Sequence, residues 1–247
     1  MPSVPSAQHF RLENLEPFKS QAFIEKPPNL VSTRKIINLQ QIMTKSRATI
    51  VVFDIGNVLL HWDPRLLYRK IFTDETEVEW FLREVCSPAF NLELDAGRPF
   101  SEAVSELTGR FPGYANAIRA YDERWLETTQ GLITESVEIL ERLRQNGVRN
   151  YAITNFSAEK FSIVRTMFPT LDAFDGIIVS GEERVVKPDP AIYRLLFDRY
   201  GFAAADCLFI DDSEKNVAGA RAVGMRAHLF ESASALRTEL IRHGFAI

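Results

Sequence analysis

The chain has 247 residues, 46% hydrophobic and 25% charged, with a formal net charge of −4. That length buries a sizeable core in one or two domains, while the mild acidity gives no support to nucleic-acid binding and no apolar run is long enough for a membrane span. Two cysteines, Cys86 and Cys207, are too few for a disulfide framework and share no metal-ligand spacing, so the expected setting is reducing and cytoplasmic.

Residues 1–46 carry Pro2, Pro5, Pro17, Pro27 and Pro28 among scattered charges and short apolar pieces. They contain no secretory-type apolar segment, and Glu13, Glu16 and Glu25 count against a transit peptide. The expectation is a flexible N-terminal extension, with a docked arm as the alternative. From Ala48 the pattern becomes regular. Ile50 to Phe53 form an apolar run that ends on Asp54, with Gly56 and Asn57 following at once. Residues 64–130 hold several amphipathic helical segments and no convincing strand, too much for one crossover, so a helical insertion is predicted there. Beyond it come a helix at 134–146, a strand at 150–154, a strand at 176–180, a helix at 189–200 opened by Asp189-Pro190, a strand at 207–210, a helix at 213–223 and a strand at 226–230. This alternation predicts an α/β fold with a parallel sheet covered by helices on both faces.

Polar residues recur at the predicted strand ends. The first strand ends in Asp54, the second in Thr154-Asn155, and the 207–210 strand in Asp211-Asp212-Ser213, with Asn216 beyond; Lys187 follows the third strand. In a parallel sheet these C-terminal ends share one edge, where open α/β sheets bind ligands. Asp54 is then placed to attack phosphorus as a carboxylate nucleophile. Mg²⁺, which prefers hard oxygen ligands, would let an anion approach a phosphate, with Asp212 as second carboxylate ligand and Asp211 assisting. Thr154 and Lys187 would hold the phosphoryl oxygens.

FDIGNV, ITN, KPDPAIY and FIDDSEKNV, in this order and spacing, resemble the four motifs of the haloacid dehalogenase superfamily, and the resemblance runs from residue 49 to about 245. It implies a Rossmann-like core of residues 47–63 and 131–247, a small helical (C1-type) cap of residues 64–130, and Mg²⁺ held by Asp54, Asp212 and the backbone carbonyl of Gly56. It also exposes a departure. Most phosphatases of the family have an aspartate two residues after the nucleophile as general acid and base, whereas this chain has Gly56. The missing acid favours good leaving groups, such as sugar 1-phosphates or acyl phosphates, or a proton from His61, the cap or water. The D-x-G-N-V form is similar to that of a subgroup that includes sugar-1-phosphate phosphatases.

The expected function is a Mg²⁺-dependent phosphatase of a small phosphorylated metabolite, as monomer or homodimer. The competing readings are a 2-haloacid dehalogenase, opposed by the Asp211-Asp212 pair, and a catalytically weak ligand- or partner-binding protein, prompted by Gly56. Asn155, His61 and Trp62 are candidate substrate contacts, Trp62 being equally readable as a hinge packing residue. In the insert, residues 91–100 read as a loop in which Asn91, Glu93 and Arg98 are specificity candidates, with solvated charge as the plain alternative. Trp80, Phe81, Tyr121 and Trp125 fall at helical spacing and read as core.

Overall fold

The computed structural model describes residues 48–247, so the extension read from residues 1–46 lies outside the described part. Five parallel strands form the main sheet in the order β5-β4-β1-β6-β7: β1 (Ile50–Phe53), β4 (Arg149–Thr154), β5 (Gly176–Val179), β6 (Cys207–Asp211) and β7 (Arg226–Leu229). Phe53 pairs with Ala152 on one side and with Ile210 on the other. The next residue, Asp54, therefore emerges between the ends of β4 and β6, in the crevice where strand order reverses.

The four residues of β1 are all fully buried and divide between the two faces. Val51 and Phe53 pack with Ile139, Leu140 and Leu143 of helix Thr134–Gln145, Phe161 of helix Ala158–Met167 and Leu236 and Leu240 of helix Ala233–Arg242. Ile50 and Val52 pack instead with Ile192, Tyr193 and Leu196 of helix Pro190–Tyr200 and Ala220 of helix Glu214–Ala222. A strand apolar at every position can serve both layers, each such side chain contributing roughly 1.5–3 kcal/mol on burial. The helix ends follow local chemistry. The Ala191 N–H donates to Asp189 Oδ1 at 2.8 Å. Gly147 and Gly201 take up φ of +73° and +70° just past two helix ends. Ser213, which precedes helix Glu214–Ala222, makes no capping bond with its side chain. Its own N–H donates to Asp211 Oδ1 at 2.8 Å.

Between β1 and β4 the chain departs on β2 (Leu60–Trp62) and returns on β3 (Thr129–Leu132), which pair as an antiparallel ribbon. Strands of three and four residues without a clean apolar alternation leave too little pattern to read, and the ribbon was not expected. Five helices lie between: Arg65–Tyr68, Glu75–Glu84, Pro88–Asp95, Phe100–Arg110 and Ala115–Glu123. Tyr68, Phe81 and Tyr121 fill their shared interior, with Tyr68 and Phe81 ring centroids 4.6 Å apart. Residues 91–95 are the end of a helix rather than a loop. Pro88 occupies its first turn, Ser87 Oγ accepts the Phe90 N–H at 3.3 Å, and Phe90 and Leu94 point inward together.

The insert meets the sheet layer through specific contacts. Lys160 donates to the backbone carbonyl of Asp122 at 3.0 Å, pairs with its carboxylate, and lies 4.3 Å from the Phe100 ring centroid. The Phe100 N–H donates to Glu159 Oε1 at 3.0 Å, and Ser180 Oγ donates to the Asp95 carbonyl at 2.6 Å. Gly97 has φ +92°, and a Cβ there would stand 2.7 Å from the Gly181 carbonyl oxygen. Gly97→Ala is therefore expected to lower stability by about 2 kcal/mol, from left-handed strain and a backbone clash. Chemical denaturation measures it; an unchanged midpoint would mean that the junction relaxes freely. Among the described residues no helix is long and apolar enough to cross a membrane.

Candidate active site

Asp54 is almost fully buried, and its backbone N–H continues the ladder to the Ile210 carbonyl at 2.8 Å. Its Oδ1 accepts the Ile55 N–H at 2.6 Å and the Lys187 ammonium at 2.9 Å. Lys187 has no exposed side-chain surface. It also reaches Asp211 Oδ2 at 2.7 Å and donates to the Ile153 carbonyl at 3.0 Å. A buried ammonium is tolerated only when paired in this way. Burial alone would lower its pKa, but the Asp54 and Asp211 charges outweigh that, and the net direction is upward. Burial drives the Asp54 pKa above the usual carboxylate range. Lys187 opposes that rise, and the nearby Asp211 and Asp212 charges add to it.

Asp211 is wholly engaged with the protein. Besides Lys187 it accepts the Ser213 N–H and the Asn216 side-chain amide, the latter at 3.0 and 3.2 Å. Asp212 is exposed at the strand end. Oxygens of Asp54, Asp211 and Asp212 all lie within 4.8 Å of one another. With Asp211 occupied by Lys187, Ser213 and Asn216, the carboxylates left to face a cation are Asp54 and Asp212. Two carboxylates with room for water and a backbone oxygen fit a hard divalent ion such as Mg²⁺.

The remaining strand-end residues divide. Thr154 Oγ1 is buried without a hydrogen-bond partner, an atom that a ligand oxygen would satisfy. Asn155 borders the cavity described next, yet both ends of its amide are taken by the Lys187 backbone: Oδ1 accepts the N–H at 2.8 Å and Nδ2 donates to the carbonyl at 3.0 Å. One donor and one acceptor position of its amide are thus committed to the lysine loop.

A cavity of about 230 Å³ opens over Asp54, Gly56 and Asp212. Trp62 and Asn91 line it, whereas His61 is exposed on the ribbon and stands outside its wall. Glu93 and Arg98 pair with each other, and Arg98 pairs also with Glu106; none of the three borders this cavity. Seven residues that sequence reasoning did not single out for the site do border it: Asn57, Asp95, Phe100, Phe156, Ser157, Lys160 and Trp125, the last read as core and both buried there and part of this wall. The two residues after Asn155 could have been included on adjacency to the ITN motif. Asp95 carried no signal, since it sits in a stretch read as a loop.

A family model for haloacid dehalogenase-like hydrolases matches residues 48–224. The chain is 30% identical over 188 residues to a sesquiterpene phosphatase of Aspergillus oryzae, covering 73% of this chain and 89% of that protein. It is 28% identical over 191 residues to a phosphoglycolate phosphatase of Cereibacter sphaeroides, covering 73% and 84%. In fold it is similar to a haloacid dehalogenase-family enzyme of Bacteroides thetaiotaomicron solved with magnesium and inorganic phosphate, with a TM-score of 0.59, 20% identity and coverage of 76% of this chain and 98% of that one. The match over four of the five sheet strands and the strand-end residues decides the family: this chain belongs to the haloacid dehalogenase-like hydrolases.

Proposed function

We propose that this chain is a Mg²⁺-dependent phosphatase that hydrolyses a small phosphate ester through an aspartyl-phosphate on Asp54. The observation that carries the reading is a nearly buried carboxylate at the tip of the central strand, bonded to a buried lysine and opening with Asp212 into one cavity. Asp54 attacks phosphorus, the Lys187 ammonium balances charge on the nucleophile and the transferring group, and the unpartnered Thr154 hydroxyl donates to a phosphoryl oxygen. Asp211 and Asn155 hold Lys187 in place. Mg²⁺, held by Asp54, Asp212 and the Gly56 carbonyl, would supply charge neutralisation between nucleophile and phosphate. The Asp211-Asp212 pair and the absence of an aromatic residue at position 56 favour phosphorus over carbon as the electrophile.

The relatives named above are phosphatases of small organic molecules, a sesquiterpene and phosphoglycolate. Trp62, Phe100, Trp125 and Phe156 give the cavity an aromatic lining. That wall supports a carbon-rich alcohol, prenyl or sugar, as the esterified group. Phosphate release from prenyl phosphates, sugar 1-phosphates, sugar 6-phosphates and acyl phosphates should depend on Mg²⁺ and stop in EDTA. Acid quenching should trap a phosphoryl group on the Asp54 peptide. Folded, Mg²⁺-loaded protein that releases phosphate from none of them would end this reading. Halide release from a 2-haloacid in EDTA would replace it with dehalogenation.

A further inference from the structure

Position 56 has no side chain to hand a proton to the departing oxygen, and a Cβ built there meets nothing within 4 Å. Alkoxides are poor leaving groups, so cleavage of an ordinary alkyl phosphate needs a proton from elsewhere. Among the described residues, three titratable groups outside the Asp54, Lys187, Asp211 and Asp212 set come into consideration. His61 is exposed and outside the cavity wall. Lys160 lines the cavity, but its ammonium is committed to Asp122 and to the Phe100 ring. The third is Asp95.

Asp95 ends the insert helix Pro88–Asp95 and borders the same cavity as Asp54, Gly56 and Asp212. Asn91 Nδ2 donates to its Oδ2 at 2.8 Å, and the Tyr121 hydroxyl donates to Asn91 Oδ1 at 2.6 Å, which sets the amide's orientation. Its backbone carbonyl is tied to the sheet layer by Ser180. The carboxyl is thus held from the insert while the nucleophile is held from the sheet. Burial raises its pKa to about 7, against the pull of the Lys187 ammonium and the Ser157 N–H. The other titratable groups around it do not supply a competing proton. Tyr121 stays neutral, its pKa well above the ordinary value. On the short helix Ser180–Glu183 that packs against it, Glu183 is paired with Arg199, and Arg184, just past its end, lies against Gly97.

We propose that Asp95, reaching in from the helical insert, is the general acid and base of the reaction, in place of the side chain that position 56 lacks; this rests on the phosphatase reading above. In the first step Asp54 forms a bond to phosphorus, the bond from phosphorus to the ester oxygen breaks, and the Asp95 proton goes to that oxygen, releasing the alcohol. In the second, water attacks phosphorus, the Asp95 carboxylate takes its proton, and the bond to Asp54 breaks with its electron pair returning to the carboxylate. Acid and base forms alternate, so both steps balance on one residue.

The test compares Asp95→Asn with wild type in the full chain, on an alkyl phosphate and on p-nitrophenyl phosphate, whose leaving group needs no proton. The amide keeps an acceptor for Asn91. The variant should lose about 10²-fold in kcat/KM, which reports the first step alone, on the alkyl ester and less than about threefold on the activated one. Wild-type kcat/KM on the alkyl ester should fall as pH rises above about 7, because the acid form is lost, and that limb should be missing in the variant. Adding Gly56→Asp to Asp95→Asn fills open space with an acid and should recover at least tenfold of the alkyl activity. Equal losses of kcat/KM on both esters that Gly56→Asp does not repair, or an unchanged alkaline limb, overturn the assignment and leave the phosphatase standing. A wild-type protein that cleaves neither ester overturns both.

Discussion

Asp54→Asn is expected to reduce phosphate release by on the order of 10⁴ or more, because removing a covalent nucleophile leaves only binding and charge stabilisation to act. The same substitution should leave the fold at least as stable. Asp54 is desolvated between Asp211 and Asp212, and its carboxylate repels both. An asparagine is the same shape and its Oδ1 still accepts the Ile55 N–H. Lys187 keeps Asp211 and the Ile153 carbonyl. Residues that act chemically often lower stability in this way. Phosphate release and thermal melting in EDTA, on one preparation, measure both halves. Retained turnover would put the nucleophile elsewhere, and a large drop in melting temperature would make Asp54 a structural residue.

Lys187→Met should do the opposite to stability. Its ammonium is the shared partner of Asp54 and Asp211, and the side chains of Lys187 and Asp211 are fully buried. Removing one member of a buried ionic set leaves an uncompensated charge, typically costing about 3–5 kcal/mol. Against a total stability of about 5–15 kcal/mol that is a large share. Urea denaturation should show the loss. Adding Asp211→Asn should return part of it, since the most buried carboxylate then needs no counter-ion, while activity stays absent. A Lys187→Met protein as stable as wild type would mean that water or protonation already relieves the site.

The sheet was legible because buried strands leave short apolar runs, and five largely apolar runs, the last of them only half-buried, are set apart by amphipathic helices. Asp54, Thr154, Lys187, Asp211 and Asp212 stood out because parallel strands bring their C-terminal ends to one edge, so position along each strand is position in space. Division of labour among them was not legible. That Asn155 is occupied by the Lys187 backbone, and Asp211 by three donors, depends on loop geometry with no periodicity to betray it. Contacts between insert and sheet were hidden for a related reason. Nothing local to Asp95 indicates that Asn91 will hold its carboxyl or that burial will raise its pKa. His61 drew notice from its sequence distance to Asp54, but β2 points it into solvent. Glu93 and Arg98 looked like specificity residues and are paired on the outer side.

The ribbon of β2 and β3 has a consequence for how such a molecule can be altered. Leu60 pairs with Leu132, so the excursion from residue 63 to residue 128 leaves and re-enters at neighbouring points. Joining ends that are already adjacent carries a closure entropy that depends only weakly on what lies between. The helices can therefore be lengthened, shortened or grafted from another chain without stretching the sheet beneath. A graft of that kind would not be chemically neutral. It would exchange the aromatic wall contributed by Phe100 and Trp125, and with it the carboxyl of Asp95, while Asp54 and Lys187 stayed in place. Recognition and proton supply would then be inherited as one transplantable unit, and phosphoryl capture as another.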